Sequence, residues 1–205
     1  MRRIAILVFA ILLSAVSFAQ TAEEIVSRMY SLLDSHDQSG LFLVLDIKIP
    51  ILGTFTTDTW KVGDRIYSEA KVGNKRVVTY TDGESVWTYE SDKNVIEIRS
   101  IAESDKKEDD TNLLDNITEG YDLSIKSETP SEWHIQCKKS KTNKSKDDPK
   151  TMDLVVSKNS CHPLSVSARM NGITVIMRDF SFDVDQSRVS FDVSRFPEAK
   201  IEDKR

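Results

Sequence analysis

The hydrophobic pattern changes its period once, near Gly40, and the change divides the chain into a helical start and a long series of strands. Thr21 and Glu24 have the spacing of a capping box, which marks the first turn of a helix. The apolar residues that follow recur at helical spacing and are Ile25, Met29, Leu32 and Leu33. The pattern therefore predicts an amphipathic helix from Thr21 to near Gly40.

Beyond Gly40 the apolar residues alternate with other residues, which is typical of a half-buried strand. One face of the first strand is formed by Leu41, Leu43, Leu45, Ile47 and Ile49. Its other face carries Asp46 and Lys48, and we expect both side chains to meet water because alternate residues point the same way. The strand ends at Pro50, where the turn that leads to Gly53 begins.

Strand-like segments then recur along the chain, separated by turns that contain Gly, Asn or Asp. This spacing predicts an antiparallel meander of about eleven strands. So many strands in one domain favour a strongly curved sheet that forms an open, unclosed barrel, with helices covering the concave side. The predicted fold class is thus mainly β (α+β). Leu113, Leu114 and Ile117 have the spacing of a short amphipathic helix, which follows a solvated charge run.

Residues 1–19 have the pattern of a signal peptide. Arg2 and Arg3 precede an apolar run, and the small residues Ser17 and Ala19 suit a cleavage site after Ala19. A retained membrane anchor is less favoured, because the run is shorter than the roughly 20 residues that span a bilayer. No cysteine lies near the cleavage point, so a lipid anchor is not indicated. We expect one domain, residues 20–205, exported to the periplasm.

Charge and glycine content exclude two broad classes of function. The formal net charge is -5, whereas a nucleic-acid-binding protein needs a basic face. The 7 glycines are scattered along the chain, whereas phosphate-cradling loops need clustered glycines. We therefore expect no nucleic-acid partner and no nucleotide cofactor.

No catalytic constellation emerges from the sequence. The histidines are His36, His134 and His162, and none lies in a metalloprotease, serine-hydrolase or Cys–His pattern. Carboxylates are too numerous on this acidic chain for an acid–base pair to be chosen among them. The sequence thus favours a protein that is not an enzyme and that binds neither metal nor cofactor.

Cys137 and Cys161 are the 2 cysteines of the chain, and both lie in the part predicted to be exported. In an oxidising compartment such a pair favours a disulfide, with free thiols as the first alternative. A zinc site that also uses His134 and His162 is the weakest alternative. Residues three apart on a strand point to opposite faces, and this separates His134 from Cys137.

Several short motifs resemble the LolA-type carriers of outer-membrane lipoproteins. The leader and first helix are followed by Trp60-Lys61, and then by Asp82-Gly83 with Val86-Trp87-Thr88-Tyr89. The tail from Ser190-Phe191 through Phe196-Pro197 to Ile201-Glu202-Asp203 is also similar to the family's carboxy-terminal segment. The resemblance covers most of the chain from Thr21 to Asp203.

The resemblance implies a monomeric periplasmic carrier that hides acyl chains in an unclosed barrel lidded by short helices. Its partners would be acylated lipoproteins or another lipid, an inner-membrane release complex and an outer-membrane receptor. Together with the aliphatic face of the first strand, it predicts an apolar cavity lined by Leu43, Leu45, Ile47, Trp60, Ile66, Trp87, Tyr89 and the lid residues Leu113, Leu114 and Ile117. The alternative on the same fold is a lipid-sensing or partner-sensing regulatory module without enzymatic activity.

Two details of this prediction are open in the sequence. The family's lid-holding Arg, a few residues after the strand Trp, has no match in register, and Lys61 and Arg65 flank the corresponding stretch. The facing of the strand from Arg65 to Val72 is also ambiguous. Ile66 suits a packed side of this strand, whereas Tyr67 could equally face the cavity.

Overall fold

The computed structural model of the chain describes residues 20–101, 117–146 and 148–205. The predicted leader, residues 1–19, and the predicted lid residues Leu113 and Leu114 lie outside these ranges. Within them the chain forms one helix of 14 residues, one of 4 residues and a single sheet of 12 strands. The predicted mainly β fold is confirmed.

The elements follow the predicted order of a helix and then a series of strands. Helix α1 spans Ala22–Ser35 and helix α2 spans Ile117–Gly120. The strands are β1 Leu41–Ile49, β2 Gly53–Val62, β3 Arg65–Val72, β4 Lys75–Thr81, β5 Ser85–Glu90, β6 Val95–Ser100, β7 Tyr121–Glu128, β8 Glu132–Lys139, β9 Thr151–Ser157, β10 Pro163–Met170, β11 Ile173–Phe182 and β12 Lys200–Asp203. Two 3₁₀ turns, Gln186–Arg188 and Val193–Arg195, lie between β11 and β12.

The sheet is open, with β12 at one edge and β7 at the other. The strand order is β12-β6-β5-β4-β3-β2-β1-β11-β10-β9-β8-β7. Strands β1 to β11 pair in antiparallel fashion, as predicted, but β12 pairs with β6 in parallel. The predicted count of about eleven strands did not include β12. The chain crosses the sheet between β11 and β12, and a crossing connection leaves no local turn signal.

Helix α1 begins as the capping box predicts. The Glu24 backbone N–H donates to Thr21 Oγ1 over 3.2 Å, and the Thr21 N–H donates to the Glu24 carboxylate over 3.3 Å. The helix ends at Ser35, earlier than predicted. The N–H groups of the next two residues donate to carbonyls three residues back, instead of the four that an α-helix requires. The His36 N–H donates to the Leu33 carbonyl over 3.1 Å, which tightens the last turn.

The sheet has two faces, and we call the face that packs against α1 the inner face and the opposite one the outer face. Ile25, Val26 and Met29 of α1 are fully buried against this inner face. Their core cluster includes inner-face residues of β8, β9 and β10, namely Trp133, Ile135, Cys137, Met152, Leu154, Val156, Val166 and Ala168. The helix therefore covers the half of the inner face formed by β7 to β11.

The other half of the sheet buries its outer face instead. Register aligns a cross-strand row of aromatic residues there, formed by Phe42, Trp60, Tyr67, Tyr80 and Trp87. Residues 184–199, which we call the C-terminal segment, cover this row with Val189, Phe191 and Phe196. The guanidinium groups of Arg188 and Arg195 lie 5.5 Å from the Trp60 ring and 5.4 Å from the Tyr67 ring.

The prediction that Asp46 meets water is wrong, because its residue is only 8% exposed. Thr56 Oγ1 donates to the Asp46 carboxylate over 2.6 Å, and Arg178 Nε donates to it over 2.8 Å. The hydrogen bond from Arg178, followed by that from Thr56, lowers the pKa of the Asp46 carboxyl. Lys48, two residues on, is exposed as expected.

The predicted disulfide between Cys137 and Cys161 is not formed, and both residues are free thiols. Cys137 lies opposite Met152 near the start of β9, whereas Cys161 lies in the turn beyond Ser157 at its end. With a rise of about 3.3 Å per residue, the two are roughly 15 Å apart along the sheet. A disulfide needs Cα atoms within about 7 Å.

We expect only one of these thiols to react with iodoacetamide in the native protein. Cys137 is fully buried, and burial raises the pKa of its thiol to about 12. At about pH 8 it is therefore protonated and shielded. Cys161 is half-buried and should react. Mass spectrometry should find one label in native protein and two in denaturant, and Cys161→Ser should leave native protein unlabelled. A native wild-type protein that takes up no label and is lighter by two protons would show instead that the disulfide forms.

Candidate functional site

An aliphatic stripe runs along the inner face of β1. It consists of Leu41, Leu43, Leu45, Ile47 and Ile49, all of them half-buried. On the outer face of the same strand Val44 and Asp46 are buried, so in the middle of β1 the aliphatic side is the more open one. The described residues form two core clusters, one under α1 and one on the outer face under the C-terminal segment. Leu41 and Leu43 contact the first, whereas the last three residues of the stripe belong to neither.

Neighbouring strands extend this apolar surface. Register sets Leu45 beside Met177 and Thr57, and Ile47 beside Val175 and Phe55. Other inner-face apolar residues are half-buried and also outside both core clusters of the described chain, namely Phe55, Ile66, Val77, Val86 and Val175. Half-exposed apolar side chains that share one face form a surface that an apolar ligand can cover.

A row of hydroxyl side chains crosses the inner face next to the stripe. Register aligns Leu43, Thr59, Ser68, Thr79 and Thr88 on adjacent strands from β1 to β5. All of them are half-buried, and the hydroxyl oxygens of Thr59 and Ser68 are 3.1 Å apart. The inner face is therefore aliphatic around β1 and mixed, with hydroxyl groups, from β2 to β5. Such a division suits an amphiphile better than a pure hydrocarbon.

A polar pocket of roughly 340 Å³ lies at the far end of the hydroxyl row. Its lining residues are Val86, Thr88, Glu90, Glu97, Arg99, Ser100 and Ile101. Glu97 forms ion pairs with Lys204 and Arg99, and these partners, with Lys204 first, lower the pKa of its carboxyl. Charged and hydroxyl groups make this pocket suitable for a polar group of a ligand and not for its hydrocarbon part.

The register divides the predicted cavity residues between the two faces of the sheet. The inner face carries Leu43, Leu45, Ile47 and Ile66. The outer face carries Trp60, Trp87 and Tyr89, which pack under the C-terminal segment. The aromatics therefore do not share a surface with the leucines, and the candidate site consists of the inner-face residues alone.

Two further predicted features have clear positions. In β3, Tyr67 is buried on the outer face and Ile66 is half-buried on the inner face, which resolves the ambiguity of this strand. Ile117 is fully buried in the core under α1, at the start of α2. It is a core residue of the described structure, in the cluster against which Leu41 and Leu43 of the aliphatic stripe also pack.

Lys61 lies on the inner face, and Lys61 Nζ is 2.7 Å from Asp37 Oδ1, just beyond the end of α1. This pair ties the end of the helix to β2, and the hydrogen bond from Lys61 lowers the pKa of the Asp37 carboxyl. Arg65 lies on the outer face with Tyr67. Of Lys61 and Arg65, Lys61 is thus the one on the helix side of the sheet.

The sequence analysis missed the hydroxyl row, because threonine is common in any strand and a single strand cannot reveal a row across five of them. Register is required to align Thr59 with Ser68 and Thr79. The polar pocket was missed for the same reason. Alternation along β2 could have placed Thr57 and Thr59 on one face, because that signal lies within a single strand.

Among the described residues no three His, Cys, Asp or Glu side chains are grouped closely enough to hold a metal ion. His134 and Cys137 point to opposite faces of β8, as their spacing predicts. In the same part of the chain no helix is long and apolar enough to cross a membrane.

No family model and no curated protein sequence matches the chain. Several solved structures, however, are similar to it. An uncharacterized conserved protein from Thermus thermophilus is similar with a TM-score of 0.53 and 14% identity, over 90% of this chain and 100% of that one. At such identity the likeness concerns the fold alone.

Two other similar structures carry descriptive names, at lower TM-scores. A LolA superfamily protein from Nitrosomonas europaea has a TM-score of 0.33 and 10% identity, over 85% of this chain and 99% of that one. A chain of the MucA/MucB complex of Pseudomonas aeruginosa has a TM-score of 0.46 and 12% identity, over 84% of this chain and 61% of that one. The solved structures that this open, curved sheet resembles thus include a LolA superfamily protein, at low identity.

Proposed function

We propose that the protein is a periplasmic carrier that holds the acyl chains of lipoproteins, or of another lipid, and moves them toward the outer membrane. The observation that carries this proposal is the aliphatic stripe of β1, which is half-buried and whose last three residues lie outside both core clusters of the described chain. An ordinary core strand buries its aliphatic face and exposes its polar face. In β1 the polar Asp46 is buried and the aliphatic stripe is only half-buried.

The stripe has the size that acyl-chain binding needs. From Leu41 to Ile49 it is roughly 26 Å long at the rise of an extended strand. An acyl chain covers one leaflet, about half of a hydrocarbon core of about 30 Å. Burying each CH₂ contributes about 0.8 kcal/mol, so a diacyl lipid would bind without any covalent step. The hydroxyl row and the polar pocket would then take the polar part of the ligand.

The remaining parts of the proposal concern location and partners. Residues 1–19 would direct export and be cleaved, leaving residues 20–205 as one periplasmic domain without enzymatic activity. An inner-membrane release complex would load the protein, and an outer-membrane receptor would unload it. Since Lys61 and Asp37 hold the end of α1 against β2, loosening this ion pair is one way to uncover Leu41 and Leu43, the part of the stripe that packs against the core under α1.

A transfer assay tests the proposal. The purified protein should release a fluorescently labelled lipoprotein from inner-membrane vesicles, together with their release machinery, into the soluble fraction. The inner-face variant Ile47→Gln should release less, whereas Asp58→Asn, at an exposed position on the outer side of β2, should release as much as the wild type. Acyl-chain binding without any release would support the regulatory alternative. Neither binding nor release would reject both.

A further inference from the structure

The hairpin between β1 and β2 ends in Pro50, Ile51 and Leu52, which we call the tip. Ile51 is 104% exposed and Leu52 is 69% exposed, more than any other large apolar residue of the described chain. Single exposed apolar residues are common and need no explanation. Two adjacent ones at the end of a hairpin, where Gly, Asn, Asp and Ser are the usual residues, are uncommon.

The backbone of Ile51 supports a role for the tip. Its φ is 72°, in the left-handed region that β-branched residues rarely adopt. Gly or Asn would adopt this conformation with less strain. The chain thus holds a strained isoleucine whose side chain no described residue covers, and strain of this kind often marks a functional position.

Exposed cations lie on the outer face directly behind the tip. Register sets Lys48 beside Thr174, and Thr174 beside Arg169, so the two cations are about 10 Å apart on alternate strands. Lys71 lies one row further back, beside Thr56. None of the three forms an ion pair with the described residues. Lys48 is near Asp46, but the Asp46 carboxylate pairs with Arg178.

The inner side of the same end is apolar. Ile47 and Ile49 continue the aliphatic stripe to the tip, with Phe55 and Val72 on the next strands. The tip therefore has an apolar end and inner side and a basic outer side, on a chain with a net charge of -5. Anionic lipid headgroups complement this arrangement, because they attract the cations while the apolar residues enter the acyl boundary.

We propose that the tip docks the protein on a lipid surface that carries anionic headgroups. Ile51 and Leu52 enter the interface between headgroups and acyl chains, and Lys48, Lys71 and Arg169 lie against the phosphates. This membrane contact goes beyond the carrier function and does not require it, since the tip lies outside both core clusters. If the protein is a carrier, the stripe leads from the inner face to the membrane contact.

Vesicle co-sedimentation tests the proposal with the purified exported protein. We expect binding to vesicles that contain phosphatidylglycerol, little binding to phosphatidylcholine alone, and weaker binding as salt rises. The double variant Ile51→Asn/Leu52→Ser should bind roughly tenfold or more weakly. It should melt no lower than the wild type, because Asn tolerates a positive φ. The matched control, Val193→Ser/Ile201→Ser, removes two other exposed apolar side chains and should bind normally.

Several outcomes would overturn the proposal. If the wild type bound neutral and anionic vesicles equally, the cations would have no role in docking. The same would follow if Lys48→Gln/Arg169→Gln bound anionic vesicles as strongly as the wild type. Full binding by the tip variant would remove the role of the apolar residues. Sedimentation of a dimer that the tip variant abolishes, without vesicle binding, would assign the tip to contact between two copies. A failed lipoprotein-transfer assay leaves all these readouts unchanged, so the two proposals fail separately.

Discussion

Leu45→Glu is expected to abolish acyl-chain binding and to leave the fold intact. Leu45 lies in the middle of the aliphatic stripe, beside Met177 and Thr57, and its side chain is half-buried. A carboxylate there can keep part of its water, so its cost to folding stays small. An acyl chain that covered it would strip this water. Binding of a fluorescent fatty-acyl probe should be lost, while the melting temperature should change by less than about 5 °C.

Val78→Glu is the matched contrast. Val78 lies on the outer face of β4, is fully buried and is paired with Glu69 on β3. A glutamate there is an unpaired buried charge beside another carboxylate and should cost several kcal/mol. We expect the variant to unfold or to melt far lower. If Leu45→Glu unfolds as well, the stripe is solid core, and with no probe binding by the wild type the carrier proposal is rejected.

Phe196→Ala is expected to lower the stability of the domain by about 3–5 kcal/mol. Phe196 is 5% exposed, and its ring centroid lies 4.3 Å from that of Tyr89 and 5.2 Å from that of Phe191. Deleting the ring opens a cavity between the C-terminal segment and the sheet, and the Arg76 guanidinium loses its ring contact. Thermal melting should shift downward by roughly 10 °C.

Binding separates this effect from the candidate site. The C-terminal segment covers the outer face, so Phe196→Ala should still bind the acyl probe at temperatures where it is folded. Val193→Ala, at an exposed position of the same segment, should melt as the wild type does. Loss of probe binding by folded Phe196→Ala would return the outer aromatics to the ligand site and contradict the assignment to the inner face.

The sequence indicated more of the fold than of the site. The capping box at Thr21 and Glu24 and the helical spacing after it predicted α1, because both signals lie within one or two turns. Gly and Asn turns predicted the meander, since each hairpin is a local structure. The site required pairs of strands to be aligned, and the row from Thr59 to Thr88 has no counterpart in any single segment.

The sequence by itself determined which residues of a strand share a face. Leu43, Leu45 and Ile47 were predicted to point the same way, and they do, because the period of a strand is two residues. Only the tertiary structure decided which face is covered and by what. The pattern of β1 alone favours burial of the leucines and exposure of Asp46. In the structure the leucines are half-buried, and Asp46 is buried in an ion pair with Arg178, 132 residues away.

The same limit applies to the aromatic residues and the cysteines. Trp60 and Trp87 are apolar in the sequence, but their burial on the outer face depends on the C-terminal segment, which returns across the sheet before β12. Cys137 and Cys161 are close in sequence, and the register of β8 with β9 keeps them at opposite ends. Alternation is a property of a few neighbouring residues, whereas burial and separation depend on contacts between segments far apart in the chain.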